Sequence, residues 1–182
     1  MKHLYFIRHG QSIANVDGVW GANTHLTNEG VLQAKKAAQY AKKNELSFDL
    51  IMSSPSIRAH DTAKEIALAT KYPVEKIILI DEVKERHFGE LEDIKVTDDI
   101  NFIHGKDETY IEKYRHVESM EQLQKRAEKV LAMLKARPED CILVASHSSF
   151  GRTLKRAING HSYSVSETSF SHLPNAEIIK LI

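Results

Sequence analysis

An α/β fold, a three-layer sandwich in which helices cover both faces of a mostly parallel sheet, is predicted by two features of this 182-residue chain. Short apolar, β-branched runs alternate with stretches of helical periodicity, the pattern of parallel strands joined by crossover helices. Capping residues also stand where several of the periodic stretches begin.

The first strand is read at 2–8, around Leu4-Tyr5-Phe6-Ile7. A helix follows at 27–43, with Thr27 placed to cap it and Glu29 in its first turn, where the helix dipole favours a carboxylate. Strand 49–53 leads into helix 55–69, whose start is assigned to Ser54 as N-cap and Pro55 at the first helical position, where a missing N–H does no harm. A strand at 76–80 precedes an irregular middle. Ser119-Met120-Glu121-Gln122 has the pattern of a capping box for helix 119–136, with Leu123, Ala127, Val130, Leu131 and Leu134 on one face. Strand 141–146, helix 149–158 ending at Asn159-Gly160, and a last strand near 176–181 complete the series.

The length suits one domain over 1–182. A composition of 42% hydrophobic and 27% charged residues is that of an ordinary globular protein. Lys plus Arg, 25, equals Asp plus Glu, 25, so no global field attracts nucleic acid or an anionic membrane and any anion site must be local. The apolar run before Arg8 is too short for a signal peptide, and no stretch approaches the roughly 20 apolar residues of a membrane span. A cytoplasmic location is therefore expected. Cys141 is the single cysteine, which excludes an internal disulfide, and it is read as packing in a strand. The polar stretch 93–118, carrying Lys95, His104, Lys106, Lys113, Arg115 and His116, is long for a connection in such a fold and is expected to act as a substrate-covering lid.

In parallel sheets the binding crevice lies beyond the carboxyl ends of the strands. Arg8 and His9 end the first strand, with Gly10 expected to let the backbone turn and His9 flex outward. Arg58 follows the second strand by about one helical turn, Glu82 and Glu85 follow the third, and His147 ends a later one just before a helix. A phosphate monoester carries up to two charges on three oxygens, which calls for guanidinium forks, imidazole N–H and helix N-terminal amides. Arg8, Arg58 and His147 supply these groups. A neutral imidazole such as His9 can attack phosphorus, and a carboxyl group, assigned to Glu85 with Glu82 as the alternative, can protonate the leaving oxygen and then take a proton from water.

These residues carry a resemblance. Arg8-His9-Gly10-Gln11-Ser12-Ile13-Ala14-Asn15 resembles the Arg-His-Gly-x-Ser/Thr-x-x-Asn signature of the histidine phosphatase superfamily, the phosphoglycerate mutase-like proteins. Leu26-Thr27-Asn28-Glu29-Gly30 through Ala34, Ser53-Ser54 through Ala63, Glu85-Arg86-His87-Phe88-Gly89 and Leu143-Val144-Ala145-Ser146-His147 are similar to that family's further blocks, in family order. The resemblance implies a phosphoglycerate mutase-like fold and His9 as the phosphorylated nucleophile. Arg8, Arg58 and His147 become the phosphate pocket, Asn15 a further ligand and Glu85 the acid and base. Gly21 is carried over as a substrate contact, although its spacing to Leu26 is one residue short. Ser148 replaces a frequent glycine, and Glu90-Leu91-Glu92-Asp93 replaces the common Trp-Glu-Gly ending of the fourth block.

The expectation is thus a metal-independent phosphatase acting on small phosphorylated molecules, with no cofactor; the sequence leaves the oligomeric state open. A phosphoglycerate mutase-type transferase, a phosphohistidine phosphatase and a non-catalytic phosphoryl-binding module are the alternatives. The chain has ten histidines, yet no His-x-x-x-His on a predicted helix and no His/Cys cluster, and no Walker pattern. His87 and His104 are placed beside the substrate; His3, His25, His60, His161 and His172 are read as surface or packing residues.

Overall fold

The computed structural model describes residues 1–104, 106–161 and 173–182, excluding the side chains of 102–104. The side chain of His104 and the whole of His172 lie outside the described residues. The elements in order are β1 (His3–Arg8), α1 (Ile13–Asp17), α2 (Asn28–Lys43), β2 (Leu50–Ser53), α3 (Ile57–Ala69), β3 (Ile78–Leu79), α4 (Asp98–His104), α5 (Asp107–Lys113), α6 (Met120–Lys135), β4 (Cys141–Ser146), α7 (Ser148–Ile158) and β5 (Ile178–Lys180).

The strands form one sheet in the order β3-β2-β4-β1-β5, parallel throughout except for antiparallel β5 at the edge. Because side chains alternate along a strand, each strand feeds both faces. Leu4, Phe6, Leu50, Met52, Ile142 and Val144 pack beneath α6 and α7 with Leu123, Val130, Leu134 and Phe150. Ile7, Ile51, Leu143 and Ala145 face α2 and α3, where Ala37, Ala38, Ala41, Ala63 and Ala67 let the helices sit close. The expected three layers result. Among the described residues, no helix is long and apolar enough to cross a membrane.

Thr27 caps α2 by accepting from Gly30 N at 3.0 Å, and Ser119 and Gln122 form a reciprocal capping box on α6. The start of α3 differs from the expectation. Ser56, not Ser54, is the N-cap, and Pro55 lies outside the helix. The Asn23 side chain instead accepts from Ile57 N at 2.9 Å. This frees Ser54 to bond His147, a long-range contact that outweighs the local capping preference.

Gly10 also differs from the expectation: its φ is not among the positive ones. A Cβ there would stand 2.4 Å from Gly30 O, and one on Gly30 would stand 1.9 Å from Gln11 O. The two glycines let the loop after β1 lie against the first turn of α2, so close approach rather than turning is what they supply.

The stretch 93–118 contains two helices, α4 and α5, which the sequence reading left irregular. It is fastened at several points. Val96 N donates to Gly18 O at 2.7 Å, Asp93 N to Trp20 O at 2.9 Å, and Phe88 bridges Val117. Phe88, Leu91, Tyr110 and Val117 bury a small apolar cluster of their own, with Trp20 stacked on Phe88 at 4.7 Å.

Replacing Gly30 by Ala is expected to lower unfolding free energy by about 1–3 kcal/mol, the usual cost of overpacking. Urea denaturation measures it; an unchanged midpoint would contradict the close-approach account.

Candidate active site

Strand register assembles the site. Arg8 pairs with Ser146 and Ser53 with Ala145, so the next residues, His9, His147 and Ser54, emerge side by side from β1, β4 and β2. The His9 and His147 rings lie 5.1 Å apart, edge to face.

His9 is 3% exposed, and its Nδ1 lies 2.7 Å from Gly10 O. A carbonyl only accepts, so Nδ1 carries the proton and Nε2 holds the lone pair. Consistent with this, Arg58 Nε donates to His9 Nε2 at 3.1 Å. Burial, followed by the adjacent Arg58 charge, pushes the His9 pKa down to about 3. The ring is therefore neutral, with its nucleophilic nitrogen turned to a guanidinium.

Arg58 stands in the first turn of α3 and is fixed by three acceptors. Besides His9 Nε2, it donates from Nη1 to Ala22 O at 2.7 Å and from Nη2 to His147 Nδ1 at 3.3 Å. That contact makes His147 Nδ1 an acceptor and leaves Nε2–H to donate to Ser54 Oγ at 2.9 Å. His147 is fully buried, and desolvation, then His9 and the arginines, hold its pKa well below the usual histidine value.

Glu85 lies at the N-terminus of α7. Its Oε1 accepts from Arg86 N at 3.0 Å and Phe150 N at 3.1 Å, and its Oε2 from Ser149 N at 3.1 Å. The helix amides expected to meet an incoming anion are thus taken by a carboxylate of the protein itself, which the helix dipole favours. Glu82 is exposed and lines neither the cavity that holds His9 nor the one adjoining it.

Arg8, His9, Asn15, Gly21, Arg58 and Glu85 all line one cavity of about 290 Å³, with Val19, Trp20, Phe88, Ser148 and Arg152 among its other walls. His147 does not line it and sits behind His9. Asn15 both caps α1, its Oδ1 accepting from Ser12 N at 3.1 Å, and reaches the cavity. Gly21, at φ +75°, lines this cavity and an adjoining one that also holds Lys84, His87 and Glu92. Among the described residues of 93–118, none lines either cavity.

Several supports gave no sequence signal. Arg126 forms a bidentate pair with Glu118 at 2.7 and 2.8 Å and donates to the carbonyls of Glu82, Lys84 and Glu85, clamping the turn that carries Glu85. Buried Arg86 pairs with Asp107 of α5 and donates to Glu118 O at 2.6 Å. Asn175 Nδ2 donates to His9 O at 2.8 Å, Ala176 N to Arg8 O at 2.9 Å, and Arg8 Nη1 to Leu173 O at 2.8 Å. The C-terminal turn therefore holds the end of β1. Among the described residues, no group of three or more His, Cys, Asp and Glu is placed to hold a metal ion.

Fold and site together define an α/β protein with a histidine-centred, guanidinium-lined pocket. The model of the histidine phosphatase superfamily (branch 1) matches residues 4–182, and the chain belongs to that family. It is 36% identical over 91 residues to the adenosylcobalamin/alpha-ribazole phosphatase of Escherichia coli, spanning 49% of this chain and 42% of that one. A protein named as a phosphoserine phosphatase of Hydrogenobacter thermophilus is 30% identical over 81% of this chain and 73% of its own length. A 2,3-bisphosphoglycerate-dependent phosphoglycerate mutase of Pelagibacter ubique is 34% identical over 50% of this chain. The match with this mutase spans 39% of it, so the chain covers well under half of it and of the ribazole phosphatase. Among solved structures, phosphoserine phosphatase of Entamoeba histolytica in complex with 3-phosphoglyceric acid superposes with a TM-score of 0.78 at 27% identity, over 99% of this chain and 90% of that one.

Because His9 is buried neutral, its folded pKa lies below the unfolded value of about 6.5. The unfolded chain takes up the proton first, so stability is complete above pH 6.5 and is lost as pH falls toward 3. His147 adds in the same direction. Urea unfolding at pH 7 and at pH 5 should show a loss of up to roughly 1.4 kcal/mol per pH unit for each imidazole. His9→Asn should flatten the slope; a stability independent of pH in this window would contradict the buried neutral rings.

Proposed function

We propose that this chain hydrolyses small phosphate monoesters in two in-line transfers through a phosphohistidine on His9, without a metal ion. The observation that carries the reading is the His9 tautomer: Nδ1–H tied to Gly10 O leaves the Nε2 lone pair in the arginine-lined cavity. The family, and the phosphatase names of the relatives at 36% and 30% identity, support the reaction class.

In the first transfer, His9 Nε2 bonds to phosphorus as the bond to the ester oxygen breaks. Glu85, a carboxylate in the resting site, takes up a proton from the entering ester monoanion and gives it to the departing alkoxide. In the second, water attacks the phosphohistidine, Glu85 takes the proton of that water, and the N–P bond breaks to release phosphate. Arg8 and Arg58 match the charge on the non-bridging oxygens throughout, the work a metal ion performs elsewhere. The Asn15 amide N–H and the backbone at Gly21 add neutral contacts. His147 acts as a positioning residue that fixes the Arg58 fork and packs against the His9 ring. The segment 93–118 buttresses the Trp20–Phe88 wall, and the substrate-covering lid expected from its length belongs to the same reading. At about 290 Å³, the cavity lies at the low end of the roughly 300–1,000 Å³ typical of small-molecule sites, which favours metabolite-sized substrates over folded phosphoproteins. A cytoplasmic setting belongs to the same reading, supported by the half-buried free thiol of Cys141.

Similarity to the mutase favours a second reading, return of the phosphoryl group to a phosphoglycerate instead of water. Product analysis separates the two, since hydrolysis accumulates inorganic phosphate.

Turnover of p-nitrophenyl phosphate is expected to survive EDTA and to be abolished in His9→Ala. Glu85→Gln should slow alkyl phosphates far more than the activated aryl ester, which needs less proton donation. Inhibition by EDTA, activity in His9→Ala, or equal losses on both esters would each overturn the corresponding assignment.

A further inference from the structure

Among the described residues, four charged side chains line the cavity that contains His9: Arg8, Arg58, Glu85 and Arg152. In the reading above, Arg8 and Arg58 answer the two charges of the transferred phosphoryl group. Glu85 is matched by the amides of Ser149 and Phe150. Arg152 is left over. It stands one turn after Ser148 on α7, the spacing that puts both on one helix face, and both line the cavity. The half-buried guanidinium makes one weak contact, 3.4 Å to Ser149 Oγ, and no ion pair involves it among the described residues. The cavity also has room beyond a phosphoryl group: about 290 Å³ is several times the roughly 30 Å³ share of one water. Trp20, Val19 and Phe88 wall the remainder with apolar surface, so Arg152 is the cation available to the rest of the substrate.

We propose that Arg152 is a specificity residue that binds a second anionic group on the leaving part of the substrate, so that the protein favours phosphomonoesters whose released portion carries a carboxylate or a phosphoryl group of its own. This rests on the assignment of Arg8 and Arg58 to the transferred phosphoryl group. A planar fork suits either anion bidentately, whereas a neutral alcohol leaves it unsatisfied.

The test uses phosphonates, which are bound but not hydrolysed, so its outcome does not depend on turnover at His9. Titration calorimetry compares butylphosphonate with 4-phosphonobutanoate and butane-1,4-bisphosphonate, on the wild type, Arg152→Gln and Arg152→Lys, with thermal unfolding to check each fold. The wild type should bind at least one of the doubly anionic ligands about tenfold or more tightly than butylphosphonate, as expected for a charge-assisted contact. The tighter of the two identifies carboxylate or phosphoryl as the source. In Arg152→Gln that preference should vanish while butylphosphonate binding stays within about twofold, and Arg152→Lys should keep part of it. Equal weakening of all three ligands would place Arg152 on the transferred phosphoryl group and overturn the proposal. So would a preference that survives Arg152→Gln, or its absence from the wild type.

Discussion

The contact between Arg58 Nε and His9 Nε2, 3.1 Å long, is the constraint around which the rest of the site is arranged. It requires a deprotonated Nε2, and therefore a proton on Nδ1 and an acceptor for it. Gly10 O provides that acceptor because the loop after β1 is pressed against α2 by a glycine on each side. The same loop is stitched to α3, where Thr62 Oγ1 accepts from Gly10 N at 3.1 Å and donates to Arg58 O at 2.8 Å. The His9 ring and the Arg58 guanidinium are thus positioned by one shared hydroxyl as well as by each other.

The charges that surround this pair are costly to bury, and the fold offsets each with designated partners. Glu85 takes helix amides, Arg126 takes Glu118 and three carbonyls, and Arg86 takes Asp107 and a carbonyl. Arg126 and Arg86 converge on the turn from Glu82 to Arg86, so the position of the carboxylate follows from α6 and α5, elements remote in sequence. Removing one member would leave another buried charge without its match, so these pairs hold the turn beyond the short 3-10 helix Asp81–Val83 in shape.

Local chemistry was the legible part of the sequence. Thr27 and Ser119 cap the helices they were expected to cap because the backbone N–H groups they accept from lie three residues away. The strand ends bearing Arg8, His9 and His147 follow from apolar runs and bring the expected residues together, while Glu85, and not Glu82, faces the cavity. What escaped was set across the sheet. Ser54 reads as a cap until the register of β2 and β4 gives it His147 as a partner. Gly10 reads as a turn until Gly30 is seen against it. The short helices α1, α4 and α5 lack a long periodic face; α1 is held by the Ser12–Asn15 capping box, and α4 and α5 pack on the Trp20–Phe88–Tyr110 cluster and the Arg86–Asp107 pair. Arg126 and Asn175 carry no motif, since the carbonyls they donate to lie tens of residues away, and Arg152 is marked only by the cavity it lines.

The claim on which the account turns is that His9 rests as the neutral Nδ1–H tautomer with its lone pair toward Arg58. Nitrogen-15 NMR of the histidine side chains, with His9 assigned through His9→Asn, tests this directly. The account requires chemical shifts of an Nδ1-protonated ring that stay unchanged on acidification from pH 7 to pH 5, since its pKa is held down to about 3. An Nε2-protonated ring, or a titration centred near the ordinary histidine value of about 6.5, would contradict it.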